Sequence, residues 1–323
     1  MLTIDLVQRG KADRQSSYER NRVLFDQIPA SLFTRPCISQ VSMDKYDSSN
    51  RITQFVVSPT KPPKPSHWSE AMKSDYKYHW IEAAKVQFDK NKHSATYSLP
   101  FPRSELSGNH KVLQSLLVCE VKRTDTPNIW ELKVRECTVG TTQERGIDYD
   151  ESYCPTAEPL SIKSTLAVGA SKTMFIGVID IQNAFQTTLR DLINYVYVSM
   201  VPFYRSWVYE TEGIKLDPDV TYVRQQLNAN QGNKDASRQF YDVLKDIFAK
   251  FGLYPATVDH ALFIKNYPND DNQKMYVCVC TDDTLVTCPT KTHFYELVKY
   301  LQQYYSVSIQ DGNVLNFVSL RII

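Results

Sequence analysis

Two apolar runs, MYVCVC (275–280) and LVTC (285–288), flank the polar residues TDDT, and this pattern commits that part of the chain to a tight β-hairpin. About a hundred residues earlier the buried-strand run MFIGVID (174–180) ends in Asp180. A strand end and a hairpin tip can bring Asp180, Asp282 and Asp283 to one sheet edge without burying them unpaired. Clustered carboxylates repel one another, so such an edge suits cations. Mg²⁺ takes one or two protein carboxylates plus substrate phosphates. Two such ions roughly 3.5–4 Å apart can activate an attacking hydroxyl and steady a leaving oxygen in phosphoryl transfer. Aspartate also favours turns for its own sake, so spacing alone favours an ordinary hairpin turn and leaves the metal site open.

The surrounding patterns predict an α+β fold, an antiparallel sheet backed by helices. VLQSLLVCEVKR and WELKVREC, separated by TDTPN, read as a second hairpin. Ser66 is placed to cap a helix whose apolar side runs Trp68, Ala71, Met72 and on toward Trp80. Leu160–Ala170 reads as a short helix entered through Pro159. ASRQFYDVLKDIFAKFG is a helix by the spacing of Ala236, Phe240, Val243, Leu244, Ile247, Phe248 and Phe251, with Gly252 ending it. A last helix runs through Phe294, Leu297, Val298, Leu301 and Tyr304, followed by the strand-like VLNFVSLRII. Residues 1–66 show no sustained period and end in a Pro-rich linker, so the folded domain is drawn as 67–323.

Composition excludes several alternatives. At 42% hydrophobic and 23% charged the chain is ordinary for a soluble globular protein, and no run of eighteen apolar residues predicts a membrane helix. Seven scattered cysteines without a CxxC pair read as reduced thiols rather than metal ligands. The net charge is +1, but residues 1–150 carry 22 Lys/Arg against 18 Asp/Glu and residues 151–323 carry 15 against 18. That split of +4 and −3 is compatible with a basic lobe gripping phosphates beside an acidic lobe holding metal. No Ser/His/Asp or Cys/His arrangement and no aspartic-protease motif stands out.

Several segments in fixed order carry a family resemblance. VIDIQNAF resembles the first catalytic motif of copia-type (Ty/copia, LTR-retrotransposon) reverse transcriptases, and CTDDTLV resembles their Asp-Asp motif, with Cys280-Thr281 where Tyr-Val is usual. HWSEAM (67–72) is similar to the family's entry segment, and residues 133–163 to its fingers region. QLNANQGNKDASRQFY (226–241), FGLYPATVDHALF (251–263) and VSIQDGNVLNFVSLRII follow where the family places its pocket, palm and closing motifs. The resemblance implies a right-hand polymerase fingers/palm fold, with the thumb, connection and ribonuclease H regions absent from 1–323. It implies an RNA-directed DNA polymerase taking an RNA or DNA template with its primer and deoxynucleoside triphosphates, without a membrane, alongside other pol domains. The setting implied is cytoplasmic, in virus-like particles, with nuclear stages.

Residue roles follow from the same resemblance. Asp180, Asp282 and Asp283 would hold two Mg²⁺ ions, with Mn²⁺ as the substitute and the backbone carbonyl of Ile181 as a further ligand. Phe185 would lie beneath the incoming sugar and exclude a 2′-hydroxyl. Lys133 and Arg135 would contact the triphosphate, with Lys122 and Arg123 near the hairpin tip. Gln231 and Gly232 would line the nucleotide pocket, with Lys234 nearby, while Arg238 anchors a helix start. The pattern departs at Val139 and Ile309, where the family has lysines, at Asn230-Gln231, Asp235 and Ser237 around the pocket glycine, and at Ser319. The position of Ile309 is that of the general acid for pyrophosphate departure, whose loss typically costs 10²–10⁴-fold in rate. A non-catalytic relic or domesticated palm-like domain binding nucleic acid or a protein therefore stays open, as does a metal-dependent nuclease or nucleotidyl transferase.

Overall fold

Strand-forming runs alternate with amphipathic helices along the chain, and the computed structural model describes residues 53–106, 110–124, 126–188, 195–267 and 273–323. β1 (Phe55–Val57) precedes α1 (Trp68–Ala71) and α2 (Lys77–His93). Next come β2 (Phe101–Pro102), β3 (Val112–Leu113), β4 (Ser115–Arg123), β5 (Ile129–Thr138), α3 (Pro159–Ser171) and β6 (Phe175–Ile181). β7 (Val196–Ser199), α4 (Tyr204–Glu212), β8 (Tyr222–Gln226) and α5 (Ala236–Phe251) lead into β9 (Tyr254–Pro255), β10 (Leu262–Asn266), β11 (Lys274–Cys280) and β12 (Asp283–Cys288). The last elements are α6 (Lys291–Leu301), β13 (Val307–Gln310), β14 (Leu315–Phe317) and β15 (Leu320–Ile322). The fold is α+β, as the patterns predict.

The central element is a six-stranded sheet, ordered β13-β6-β12-β11-β10-β9 and antiparallel throughout. Its strands are apolar on both faces because both are covered. On one side Ile179, Ile181, Val277, Val279 and Val286 pack against Phe240, Leu244, Ile247 and Phe248 of α5 and Phe294, Leu297 and Val298 of α6. Gly177 makes room for this layer: a β-carbon there would fall 2.6 Å from the Phe294 ring. On the other side Val178, Cys278 and Leu285 meet Ile162 of α3 and Leu315 and Phe317 of β14.

A three-stranded sheet, β1-β5-β4, forms a second layer whose inner residues Leu117, Cys119, Val121, Leu132 and Val134 pack on Trp80, Ala84 and Phe88 of α2 and Trp207 and Val208 of α4. The β4–β5 hairpin has strict period-2 burial, so Lys122, Lys133, Arg135 and Cys137 face away from that core. A four-stranded sheet, β2-β8-β7-β3, adjoins it and contains the parallel pair β3–β7.

Local details correct the expected helix from 66 to 80. It is two helices, with His67 rather than Ser66 at the first N-cap and a break over residues 72–76. Ser66 still takes part, its N–H, one residue before the N-cap, donating to Glu70 Oε2 at 2.7 Å. Gly252 takes φ +90 and ends α5, as the sequence predicts. Tyr304 falls beyond the end of α6. The expected lead-in lies outside the described residues over 1–52, whereas Phe55–Val57 at its end joins the sheet against β5. Among the described residues no helix is long and apolar enough to cross a membrane.

Candidate active site

The antiparallel register sets the site. Asp180 on β6 stands directly opposite Asp283 on β12 and, across its other edge, opposite Ser308 on β13. All three belong to the face that carries Val178 and Leu285 and lie one row beyond them. Ser308 Oγ donates to Asp180 Oδ2 at 3.0 Å. The pair Cys280–Asp283 closes the β11–β12 hairpin, leaving Thr281 and Asp282 as its two-residue turn. Thr281 has φ +60, the positive angle that primed hairpin turns require and a branched side chain disfavours. The Ile181 N–H donates to the Asp282 carbonyl at 3.0 Å and binds this turn to the end of β6.

The charges in this group repel. Desolvation, together with the nearby Asp180 charge, pushes the Asp282 carboxyl above its ordinary range, while Arg135 pulls it back. Asp283 is raised first by desolvation, then by Asp282 and Asp180. Among the described residues no three His, Cys, Asp or Glu side chains are gathered tightly enough to form a ready-made metal cage. Mg²⁺ does not require one, since it keeps several waters and takes one or two carboxylates plus substrate oxygens. Carboxylates raised by desolvation and by one another's charge, gathered where two strand ends meet, are a donor set that fits such an ion.

The remaining candidates fall into three groups. On the outward face of the β4–β5 hairpin, Arg135 Nη1 donates to Glu120 Oε2 at 2.7 Å and remains within electrostatic reach of Asp282. Lys133 is held down to about 8, by burial first and then by Lys122, Arg135 and Lys90. Lys122 lies opposite Glu131, and Arg123 is exposed at the strand end opposite Trp130.

Gln231 and Gly232 sit on a loop pressed against the end of β5. The Thr138 N–H donates to the Gln231 carbonyl at 2.9 Å, and Cys137 Sγ approaches Gln231 Oε1 at 3.9 Å on the same outward face as Arg135. Gly232 has φ +91, and a β-carbon on it would meet the Thr138 carbonyl at 2.1 Å. Lys234 is tied down, its Nζ donating to the Gln143 carbonyl at 3.0 Å beside the Tyr149 ring.

Phe185 opens a short 3₁₀ turn after Asn183, which has φ +54, and is half-buried with its ring edge-on to Phe240 at 6.3 Å. Arg238 pairs with Asp242 in the first turns of α5 at 2.8 Å.

Sequence reasoning missed Ser308 and a buried polar network. Glu136 and Arg224 form an ion pair almost without solvent exposure, with the guanidinium 4.3 Å from the Tyr97 ring and 4.2 Å from the Tyr204 ring. The charge of Glu136 keeps Arg224 protonated against the penalty of burial. The signal was present in WELKVREC, where Glu136 occupies the inward register of Leu132 and Val134.

A family model described as reverse transcriptase (RNA-dependent DNA polymerase) matches residues 101–323, a span that includes Asp180, Asp282, Asp283 and the other candidate site residues. The chain belongs to this reverse transcriptase family. It is 29% identical over 177 residues to the retrovirus-related Pol polyprotein from transposon RE1 of Arabidopsis thaliana, covering 54% of this chain and 11% of that one. Similarity to the Pol polyprotein from transposon TNT 1-94 of Nicotiana tabacum is 24% over 224 residues, 69% of this chain and 15% of the relative. The Pol polyprotein from transposon RE2 of Arabidopsis thaliana is 31% identical over 156 residues, 48% of this chain and 10% of that one. This reverse transcriptase chain thus spans a small fraction of the polyproteins it matches, and the copia-type resemblance of its motifs rests on these transposon relatives.

Proposed function

We propose that this chain is the fingers-and-palm module of an RNA-directed DNA polymerase from a copia-type retrotransposon, extending a primer 3′-hydroxyl on an RNA or DNA template. The observation that carries the proposal is the register pairing of Asp180 with Asp283, with Asp282 at the adjoining turn, where the ends of two neighbouring strands of an antiparallel sheet meet. In this reading the six-stranded sheet is the palm and the β4–β5 hairpin belongs to the fingers. The relatives' names supply the polyprotein setting, in which other pol domains would be the partners, and the location that goes with this reading is cytoplasmic, in virus-like particles.

Asp180, Asp282 and Asp283 would hold the divalent ions, and Ile181 would add its carbonyl. When bound, Mg²⁺ supplies charge neutralisation for the attacking and leaving oxygens of phosphoryl transfer. The chain's own residues do the rest by positioning. Lys133 and Arg135, with Lys122 and Arg123 farther along the hairpin, meet the triphosphate. Gln231 and Gly232 form the pocket floor and Lys234 braces their loop, while Phe185 lies beneath the sugar and excludes a ribose 2′-hydroxyl. Lys133, held near 8, sits there as a cation whose charge an incoming triphosphate would reinforce.

A second reading, a folded relic without turnover, draws on one observation. β13 presents Ile309 opposite Ile179 where the family has a lysine suited to protonate the leaving pyrophosphate. Primer extension on a homopolymer RNA template with Mg²⁺ or Mn²⁺ separates the two. Template-dependent incorporation that disappears in Asp282→Asn supports the polymerase; a folded chain that incorporates nothing favours the relic.

A further inference from the structure

Three residues assigned above to the nucleotide pocket share an arrangement. Arg135, Phe185 and Gln231 are each followed or preceded in sequence by a buried polar residue: Glu136, Gln186 and Asn230, exposed by 1%, 7% and 0%. These three belong to one hydrogen-bonded network. Glu136 pairs with Arg224 through one carboxylate oxygen and accepts from Asn91 Nδ2 at 2.9 Å through the other. Asn91 Oδ1 accepts from Gln186 Nε2 at 2.8 Å and from Gln87 Nε2 at 2.7 Å. Asn230 Nδ2 donates to the Glu136 carbonyl at 2.9 Å and lies 2.5 Å from the Tyr97 hydroxyl. Asn228 Nδ2, two residues before Asn230, donates to the Gln186 carbonyl at 2.6 Å.

We propose that this network is the positioning frame of the nucleotide pocket, with Asn91 and Glu136 fixing Arg135, Phe185 and Gln231 relative to one another across three separate elements. The inference rests on the polymerase reading. Stability alone gives little reason for the arrangement, because a buried ion pair is often no more stabilising than well-packed apolar residues of the same volume. Hydrogen bonds add direction that apolar contacts lack, and direction is what a pocket built from a strand, a 3₁₀ turn and a loop needs. Each link constrains the backbone one residue from a side chain facing the pocket. Misplacement of such a side chain by about 1 Å is enough to cost as much as 10²-fold.

The test measures equilibrium binding of a deoxynucleoside triphosphate and its ribonucleotide counterpart to the whole chain on primer–template with Mg²⁺. Gln186→Met removes the Asn91 link with little change of shape, and Asn230→Ala removes the Glu136 carbonyl link. Leu297→Ala, in the core of the six-stranded sheet and outside the network, serves as the control for general destabilisation. The expected result is a several-fold loss of deoxy-over-ribo preference in Gln186→Met. Asn230→Ala should weaken deoxynucleotide binding by about tenfold. Leu297→Ala should bind as wild type at temperatures where it is folded. Wild-type affinity and preference in Gln186→Met overturn the frame, whatever the stability of Asn230→Ala. So do equal changes in Leu297→Ala. A wild-type chain that binds neither nucleotide defeats the polymerase reading itself, and the frame falls with it.

Discussion

Asp180 and Asp283 face each other across adjacent antiparallel strands, and desolvation with mutual repulsion raises the Asp283 carboxyl. The consequence for stability has a definite sign. A carboxyl raised in the folded state binds more protons there than in the unfolded chain once pH exceeds the unfolded value of about 3.9. Its contribution is complete below that value and is lost as pH rises through the folded value. Metal-free protein should therefore lose part of its stability as pH climbs from about 4 toward neutrality. Asp283→Asn should flatten that slope, and added Mg²⁺ should restore Tm at neutral pH in the parent chain but much less in the variant. Thermal melts across pH, with and without Mg²⁺, read all three; an unchanged slope in Asp283→Asn counts against the raised carboxyl.

Ser308 offers a second handle on the same carboxylates. Its hydroxyl donates to Asp180 at 3.0 Å and orients one carboxylate oxygen. Hydrogen bonds that orient a metal-binding carboxylate typically contribute 10–100-fold in metal affinity. Ser308→Ala should shift the Mg²⁺ midpoint of thermal stabilisation upward by about tenfold while leaving the metal-free Tm nearly unchanged. A midpoint equal to that of the parent would show that the contact orients nothing that binds metal.

Lys133 should be the most pH-sensitive of the basic residues, because burial beside Lys122 and Arg135 holds its amine down to about 8. A lysine depressed in the folded state loses its proton before the unfolded chain does, so its stability contribution grows from about 8 upward to about 10.4. At neutral pH the buried charge is a cost. Lys133→Met should raise Tm at pH 7, with the gain fading by pH 10, while weakening triphosphate binding. A lower Tm at pH 7 would contradict the assignment of Lys133 as a desolvated cation.

These effects separate what the sequence discloses from what it hides. The β4–β5 and β11–β12 hairpins were legible because their alternation and turn residues are local, and so was α5, whose apolar spacing runs unbroken to Gly252. Asp180 and the Asp282–Asp283 pair could be singled out, but their apposition is a matter of register between strands a hundred residues apart. Ser308 was invisible for that reason: β13 is four residues long with mixed burial, VSIQ, and matters only through its pairing with β6. The break after α1 escaped because Trp68 and Trp80 both pack inward, although on two helices. The alternation of WELKVREC puts Glu136 in the inward register, but its partner Arg224 lies on β8, some ninety residues on, and only the fold shows that the buried charge is paired.

Gly232 should resist any substitution. Its φ of +91 already disfavours a side chain, and the Thr138 carbonyl fills the space a β-carbon would need. Gly140 packs against the Gly232 carbonyl in the same way, so neither loop can retreat from the other. Gly232→Ala should destabilise the fold by more than about 2 kcal/mol, the left-handed penalty plus displacement of backbone. Chemical denaturation measures this directly, and a loss below about 1 kcal/mol would mean that the loop can move off β5 at little cost.

The Arg224–Glu136 pair makes the sharpest energetic prediction, because each charge is buried almost completely. Arg224→Met leaves the Glu136 carboxylate without its cation, and removing one partner of a buried pair typically costs about 3–5 kcal/mol. Glu136→Gln keeps the shape and the hydrogen bond from Asn91 but strands the guanidinium between Tyr97 and Tyr204, at a similar cost. The double variant Arg224→Met/Glu136→Gln carries no uncompensated charge. It should therefore be more stable than either single variant, giving a coupling of about 2 kcal/mol or more in a double-mutant cycle. Simple additivity of the two losses would mean that water reaches both groups and that they act independently. A double variant that recovers stability without recovering nucleotide affinity would separate the folding contribution of the pair from its hold on the residues beside it.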